Sequence, residues 1–350
     1  MIALIQRIRS KVDGMLVKSV DMTSFQIDFT ERLPVEGEDL EKGAIRSAIS
    51  AKTTTVVLPF RLPLVKMKAS RFKGAVYYQD QHAQNIETIF SPTFLKGNVI
   101  TTSIEGGYTD YFPSTQECYL NYIRCVIRDE KVVVHIKATA DMIFDFGVLG
   151  VHTIKHVPFS SALTLFGLNS FPSVRWDGLR EIPPLDKVVS NLSLSDSSTA
   201  DPATTTDETI SSTRCLTLSG SCFTKNTSNI APIMGDVAFE MWIPKVMVAT
   251  TPETSDSQPL PLSEMDRIGT VIWYNVKLAM GDNELRDSTM NFDTSLPASR
   301  QFLNNLAKNK QTVFLAATEM SSPIHVISHS VAGMRTSMEV PQFVCSLAEP

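Results

Sequence analysis

Cysteine is scarce, and its count is odd: Cys118, Cys125, Cys215, Cys222 and Cys345 are the five in 350 residues. An odd number in a long chain excludes a fully paired disulfide framework and predicts reduced thiols. The pairs Cys118/Cys125 and Cys215/Cys222 leave six residues between partners, more than the two to four of common zinc knuckles, so no metal site is assigned to them. Long apolar runs are missing too. The longest stretch without a charged residue, 157 to 174 with histidine set aside, holds two prolines, a glycine, an asparagine and four serines, a composition that excludes a membrane-spanning helix there. Residues 1 to 18 carry Arg7, Arg9 and Lys11 after five mostly apolar residues. They form neither the uninterrupted apolar segment nor the small-residue cleavage site of a secretory signal, and the expected location is cytoplasmic. In that compartment the sequons at Asn191 and Asn226 stay unmodified.

Catalytic and nucleotide motifs are absent as well. There is no Gly-x-Ser-x-Gly elbow, no Gly-x-x-x-x-Gly-Lys-Ser/Thr loop and no Gly-x-Gly-x-x-Gly fingerprint. Ser70-Arg71-Phe72-Lys73 matches a bare Ser-x-x-Lys string, but its companion motifs are missing. His152/His156 and His325/His329 have a spacing that suits a metal on a helix. Their surroundings read as strands, where residues four apart stand roughly 13 Å from each other, too far to share one ion. The cluster Glu36, Glu38, Asp39 and Glu41 beside Pro34 and Gly37 reads as a solvated loop. No cofactor is expected, and no small-molecule substrate is identified.

The last absence is the most informative. Positions 42 to 79 contain no acidic residue, although the chain carries 37 Asp+Glu against 32 Lys+Arg, a formal charge of −5. Eight cations occupy that stretch: Lys42, Arg46, Lys52, Arg61, Lys66, Lys68, Arg71 and Lys73. Phe60, Phe72, Tyr77 and Tyr78 are interleaved with them, so positive charge for phosphates and flat rings for bases occur together. The asymmetry extends along the chain. Residues 1 to 188 hold 22 Lys+Arg against 20 Asp+Glu (+2), and residues 189 to 350 hold 10 against 17 (−7). The competing reading is that these lysines are the outward face of a core strand, since Val56, Val57, Leu58, Leu62, Leu64 and Val65 lie among them. The candidate nucleic-acid or anion-binding residues are Lys66, Lys68, Arg71, Lys73, Arg61 and Lys52.

Hydrophobic content of 43% with 20% charged residues is that of a folded globular chain. Its dominant periodicity is two. Val132, Val134, Ile136 and Ala138 alternate with Lys131, His135, Lys137 and Thr139, the pattern of a half-buried strand. Tyr119 to Arg128 is read as its hairpin partner across Asp129-Glu130. Thr270 to Met280 is read as a strand with Ile272, Tyr274, Val276, Leu278 and Met280 on one face, ending in a turn at Gly281-Asp282-Asn283. Further strands are expected at 53–60, 99–104, 148–157, 237–249, 311–317 and 324–330. Prolines beside them (Pro59, Pro63, Pro244, Pro323) suit sheet edges and disfavour a buried parallel sheet. Helix is expected over Met1 to Met15, with an apolar seam and a basic surround, and after Pro297, with Phe302, Leu303 and Leu306 facing inward.

The predicted architecture is mainly β: antiparallel sandwich or jelly-roll-like, in two β-rich units with a few short helices. The N-terminal domain is placed at 1–189 and the acidic C-terminal domain at 214–350. Between them, 190–213 is a Ser/Thr-rich linker or exposed loop with too little apolar area to order itself. Residues 250–262 form a second loop. The function expected is non-enzymatic: a viral-type structural or assembly protein, capsid or matrix-like, located in the host cytoplasm or the virion. Its partners would be further copies of itself and a single-stranded nucleic acid or an anionic membrane surface met through the basic strip. The alternatives are a viral movement protein or other non-structural single-stranded nucleic-acid binder, and an enzyme whose site is assembled from distant residues.

Overall fold

The computed structural model describes residues 19–91, 93–145, 147–171, 174–182, 215–245, 261–322, 325–328 and 330–346, with the backbone alone for 19–20, 58–70, 93–96, 149 and 325–326. The expected N-terminal helix, the 190–213 linker and most of the 250–262 loop lie outside the described residues.

Thirteen strands make up one sheet among the described residues. They are β1 (Ser19–Asp28), β2 (Ile45–Tyr78), β3 (Gln81–Phe90), β4 (Thr93–Tyr111), β5 (Lys131–Asp145), β6 (Val151–Phe166), β7 (Val174–Ile182), β8 (Cys215–Asn226), β9 (Ile230–Pro244), β10 (Met265–Lys277), β11 (Gly281–Asp293), β12 (Gln311–Met320) and β13 (Arg335–Val340). The described helices are α1 (Glu38–Glu41), α2 (Gln116–Arg128), α3 (Pro297–Lys308) and α4 (His325–Ser328).

Seven strands close on themselves in the order β9-β10-β11-β8-β7-β13-β12 and back to β9. Their registers align apolar residues in layers. Leu218 on β8 faces Met290 on β11, Met290 faces Val271 on β10, Val271 faces Phe239 on β9, and Phe239 faces Ala317 on β12. Each of these is buried. Helix α3 packs on this unit as its sequence predicts: Phe302, Leu303 and Leu306 recur at helical spacing and are buried, with Phe302 stacked 5.7 Å from Phe292. Closure removes strand edges, so the barrel does not need the second stacked layer that a sandwich would supply. The mainly β expectation holds, whereas the sheet closes as a barrel with extra strands where two-layer packing was expected. Strand β7, which precedes residue 190, pairs with β8 and β13 within this barrel.

The remaining strands wrap around a second apolar interior. A straight strand of 34 residues would run roughly 110 Å, and β2 avoids this by irregular stretches between Val57 and Val65 and between Ala69 and Phe72. Its first half pairs with β1 and β4 and its second half with β3 and β5. The resulting order is β6-β5-β2-β3-β4-β2-β1. The two units are joined by main chain: β1 runs parallel to β9, Phe25 opposite Ile230 through Asp28 opposite Ile233.

Three local expectations are corrected. Residues 119–128 are helix α2, not a strand. Tyr119, Tyr122, Ile123, Val126 and Ile127 are its buried positions, at spacings of 3, 1, 3 and 1, which is the 3.6 period of one helix face. From Val271 onward the buried residues are Val271, Trp273 and Val276 of β10 and Leu278 just beyond it. A register shift between Trp273 and Val276 exchanges the faces, so Ile272 and Tyr274 are not on the core side and Met280 is exposed. Residues 325–328 form the short α4 where a strand was read. His325 therefore begins a helix and not the expected strand; its side chain and all of His329 lie outside the described residues. His152 and His156 do lie on β6.

Candidate polyanion-binding face

The acid-free stretch maps almost entirely onto β2, and the bend in that strand divides its cations. Lys52 lies on the first half, in a groove with Glu105 and Lys277. Arg71 and Lys73 lie on the second half and are exposed, and Lys73 lines a different groove. Lys66 and Lys68 stand opposite Asp145 and Ile143 of β5 in backbone register. Their side chains, and that of Arg61, are outside the described residues. The extra residue between Ala69 and Phe72 keeps the parity of the strand in step with β5. Met67, Ala69, Phe72 and Gly74 all pair with even-numbered positions Phe144, Met142, Ala140 and Ala138, the inward-facing series of β5. Without that bulge, Lys73 would turn toward the interior.

On the outer face, the second half of β2 lies between β3 and β5. A groove of about 760 Å³ crosses β4, β3, β2, β5 and β6 here, lined in part by Asp39, Lys73, Glu87, Tyr108, Asp110 and Lys137. Glu87 is its hub. Lys73 Nζ lies 3.0 Å from Glu87 Oε2 and Arg71 Nη1 lies 3.4 Å from Oε1, while the Tyr108 hydroxyl donates to Oε2 at 2.6 Å. Burial pushes the Glu87 carboxyl up, but the Tyr108 hydrogen bond and the two cations outweigh it and hold the group below its ordinary range. Burial, followed by the bond to Glu87, pushes the Tyr108 phenol up to about 12.

Arg46 completes the network from the first half of β2. It binds Asp110 through two hydrogen bonds, lies 3.8 Å from Asp39 and covers the Tyr108 ring at 3.6 Å. Its bond to Asp110 raises its pKa further against the effect of burial. Lys137, on β5, reaches over the Tyr77 ring at 4.9 Å.

Chemically, this face offers exposed cations of unequal commitment. Arg46 is 13% exposed at its side chain and held by Asp110. Arg71 and Lys73 are 67% and 64% exposed and share one carboxylate. Their charged groups stay open to water, although the Glu87 side chain they share is only 12% exposed. Glu87 and Tyr108 escaped the sequence reading because both enter the site through strand register; Lys137 was legible as an outward position of β5. Among the described residues no group of three His, Cys, Asp or Glu is placed to hold a metal ion, and no helix is long and apolar enough to cross a membrane.

No protein-family model matches the chain, and no curated protein matches it.

Proposed function

We propose that the chain is a non-enzymatic structural subunit of viral type, capsid or matrix-like, that assembles with copies of itself and meets a polyanion through the outer face of β2 and β5. The polyanion is the phosphate backbone of a single-stranded nucleic acid or the headgroup layer of an anionic membrane. The observation that carries this reading is the pair Arg71 and Lys73, both exposed and sharing the Glu87 carboxylate at a groove that Lys73, Glu87 and Lys137 line. Lys66 and Lys68 extend the series along the same strand. Cations spaced along a strand track a backbone without reading bases, which suits packaging or surface attachment more than sequence recognition. Two β-rich units joined through β1 and β9 supply the scaffold.

Light scattering and binding measured with and without single-stranded RNA, and separately with vesicles containing phosphatidylserine, test the proposal at two salt concentrations. Large particles are expected, together with binding that weakens as salt rises. Changing Lys66, Lys68, Arg71 and Lys73 to Ala should abolish most of that binding, with the salt slope for RNA falling by about 0.7 for each phosphate that is no longer neutralised. Equal affinity in the fourfold variant would remove the site.

A further inference from the structure

Two lysine–ring pairs of the same kind stand on one face of β5. Lys137 Nζ lies 4.9 Å from the centroid of the Tyr77 ring, and Lys131 Nζ lies 5.7 Å from that of Phe166. The alternation of the strand puts both lysines on its outward side, with Val132, Val134 and Ala138 buried on the other. Along β5 the two lysines are about 20 Å apart. Backbone register brings the rings in from either side: Tyr77 of β2 stands opposite His135, and Phe166 of β6 opposite Lys131.

The surface around these pairs is open and carries no negative charge. Val133 and Phe166 are 52% and 41% exposed, and the half-buried Tyr77 tilts against the His82 ring at 5.7 Å. The outward positions of β5 from Lys131 to Thr139, of β6 from Pro158 to Phe166 and of β2 from Lys73 to Tyr77 include no carboxylate. Acids meet the patch at its borders, Glu87 from β3 beside Lys73 and Asp129-Glu130 in the connection before β5. Phosphates alone need only the cations. A cation paired with a flat ring matches an unpaired nucleotide, with phosphate on ammonium and base on ring.

We propose that the outer face of β5, with Tyr77 near one end and Phe166 at the other, binds single-stranded nucleic acid through its bases as well as its phosphates. This rests on the polyanion reading above and, within it, selects nucleic acid over membrane. At an exposed site an ammonium over a ring is worth about two- to fivefold in affinity, whereas one stacked base is worth about five- to 150-fold. Bases therefore displace Lys137 and Lys131 from Tyr77 and Phe166, and the freed ammonium groups turn to the adjoining phosphates. His135 and Val133 lie under the nucleotides between the two stacks. Beyond Lys137 the same face continues into the groove that Lys73 lines. Ring faces accept every base, so the site is indifferent to sequence.

The full chain, titrated with an oligothymidylate and with an abasic oligomer of equal length and charge, tests the proposal; a length of about a dozen nucleotides lies within the ~4–16 that single-strand sites cover. The oligothymidylate should bind about tenfold more tightly or better, the effect of two stacks less the two displaced ring contacts. Tyr77→Leu with Phe166→Leu keeps apolar volume and removes both flat rings, and should close that gap. If this variant does not fold, the comparison of the two oligomers on the parent chain still decides the matter. Lys131→Gln with Lys137→Gln should weaken both oligomers and lower the salt slope by about 1.4, two phosphates at about 0.7 each. Equal affinity of the parent for both oligomers would overturn base binding and leave the polyanion reading standing, whereas binding neither to them nor to vesicles containing phosphatidylserine would remove both. A gap that survives the double leucine change, or vesicle binding that falls with it in the same proportion, would also overturn the proposal.

Discussion

Arg46 grips Asp110 side-on across two strands, with Nε donating to Oδ1 at 2.7 Å and Nη2 donating to Oδ2 at 2.8 Å. The two residues are cross-strand partners of β2 and β4, and the Asp110 side chain is 4% exposed. A lysine cannot reproduce the planar fork or lie flat on Tyr108. Arg46→Lys is expected to lower unfolding free energy by about 1–3 kcal/mol. Arg46→Ala, which leaves a buried carboxylate unpaired, should cost about 3–5 kcal/mol. Urea titrations at neutral pH measure both.

Glu87 gives the groove a pH signature. Its folded pKa lies below the ordinary 4.5, so the charged form is favoured in the native state. Its contribution to stability is complete above about pH 4.5 and is lost as pH falls through the lower folded value. Glu87→Gln should therefore flatten the acid limb of the stability curve below pH 4.5, and, by removing a charge that helps raise Tyr108, also soften the alkaline limb. Tyr108 works at the other end. Raised to about 12 from 10, it stabilises the fold fully below pH 10 and loses that contribution as pH rises through 12, so Tyr108→Phe should weaken the alkaline dependence. Denaturant midpoints across pH 3 to 12 check both signs, and unchanged limbs would refute them.

The end of α2 depends on a glycine. After β6 the chain passes so close to the helix that Leu168 N–H donates to the Val126 carbonyl at 2.9 Å and Ser170 N–H to that of Ile127 at 3.0 Å, satisfying terminal acceptors. A Cβ on Gly167 would overlap the carbonyl oxygens of Asp129 and Val126. Gly167→Ala must displace backbone, and a loss of about 2–4 kcal/mol is expected. A stability within about 0.5 kcal/mol of the parent would show that the approach is not this tight.

Asn229 ties three strands together. Its Oδ1 accepts from Phe166 N–H at 2.9 Å at the end of β6, its Nδ2 donates to the Met22 carbonyl of β1 at 3.1 Å, and its own carbonyl accepts from Phe25 N–H at 2.9 Å. It is buried just before β9, so Asn229→Ala strands the buried Met22 carbonyl and the part-buried Phe166 N–H. A cost of about 2–5 kcal/mol is expected from the two orphaned groups. Hydrogen exchange should also quicken first at Phe166 and along β1; exchange that speeds up uniformly over the whole chain would contradict this local role.

What was legible in the sequence was whatever repeats over neighbouring residues. The alternation of β5 and the apolar face of α3 are both local, and both are present as read. The α2 error came from reading β-branched and aromatic composition before period, although the 119, 122, 123, 126, 127 spacing was there to be counted. In β10 the failure had a different cause. One bulge at 273–276 reverses the faces, and a bulge carries no periodic signal because tertiary pairing sets it. The candidate face was half visible. Its cations lie consecutively along one strand, but the carboxylate that neutralises two of them is on β3, and strand register is decided by contacts far apart in the chain. Barrel closure was invisible for the same reason: the β9–β10 and β9–β12 pairings are made by residues that no local window spans together.

The parallel contact between β1 and β9 reaches from Phe25 to Asp28 on one side and from Ile230 to Ile233 on the other. Successive main-chain bonds fix an angle as well as a distance, whereas a tether fixes only reach. If copies of this chain tile a surface, neighbouring tiles inherit their spacing from that short seam. Lattice curvature would then be set by side-chain contacts between molecules and not by swivelling within each one.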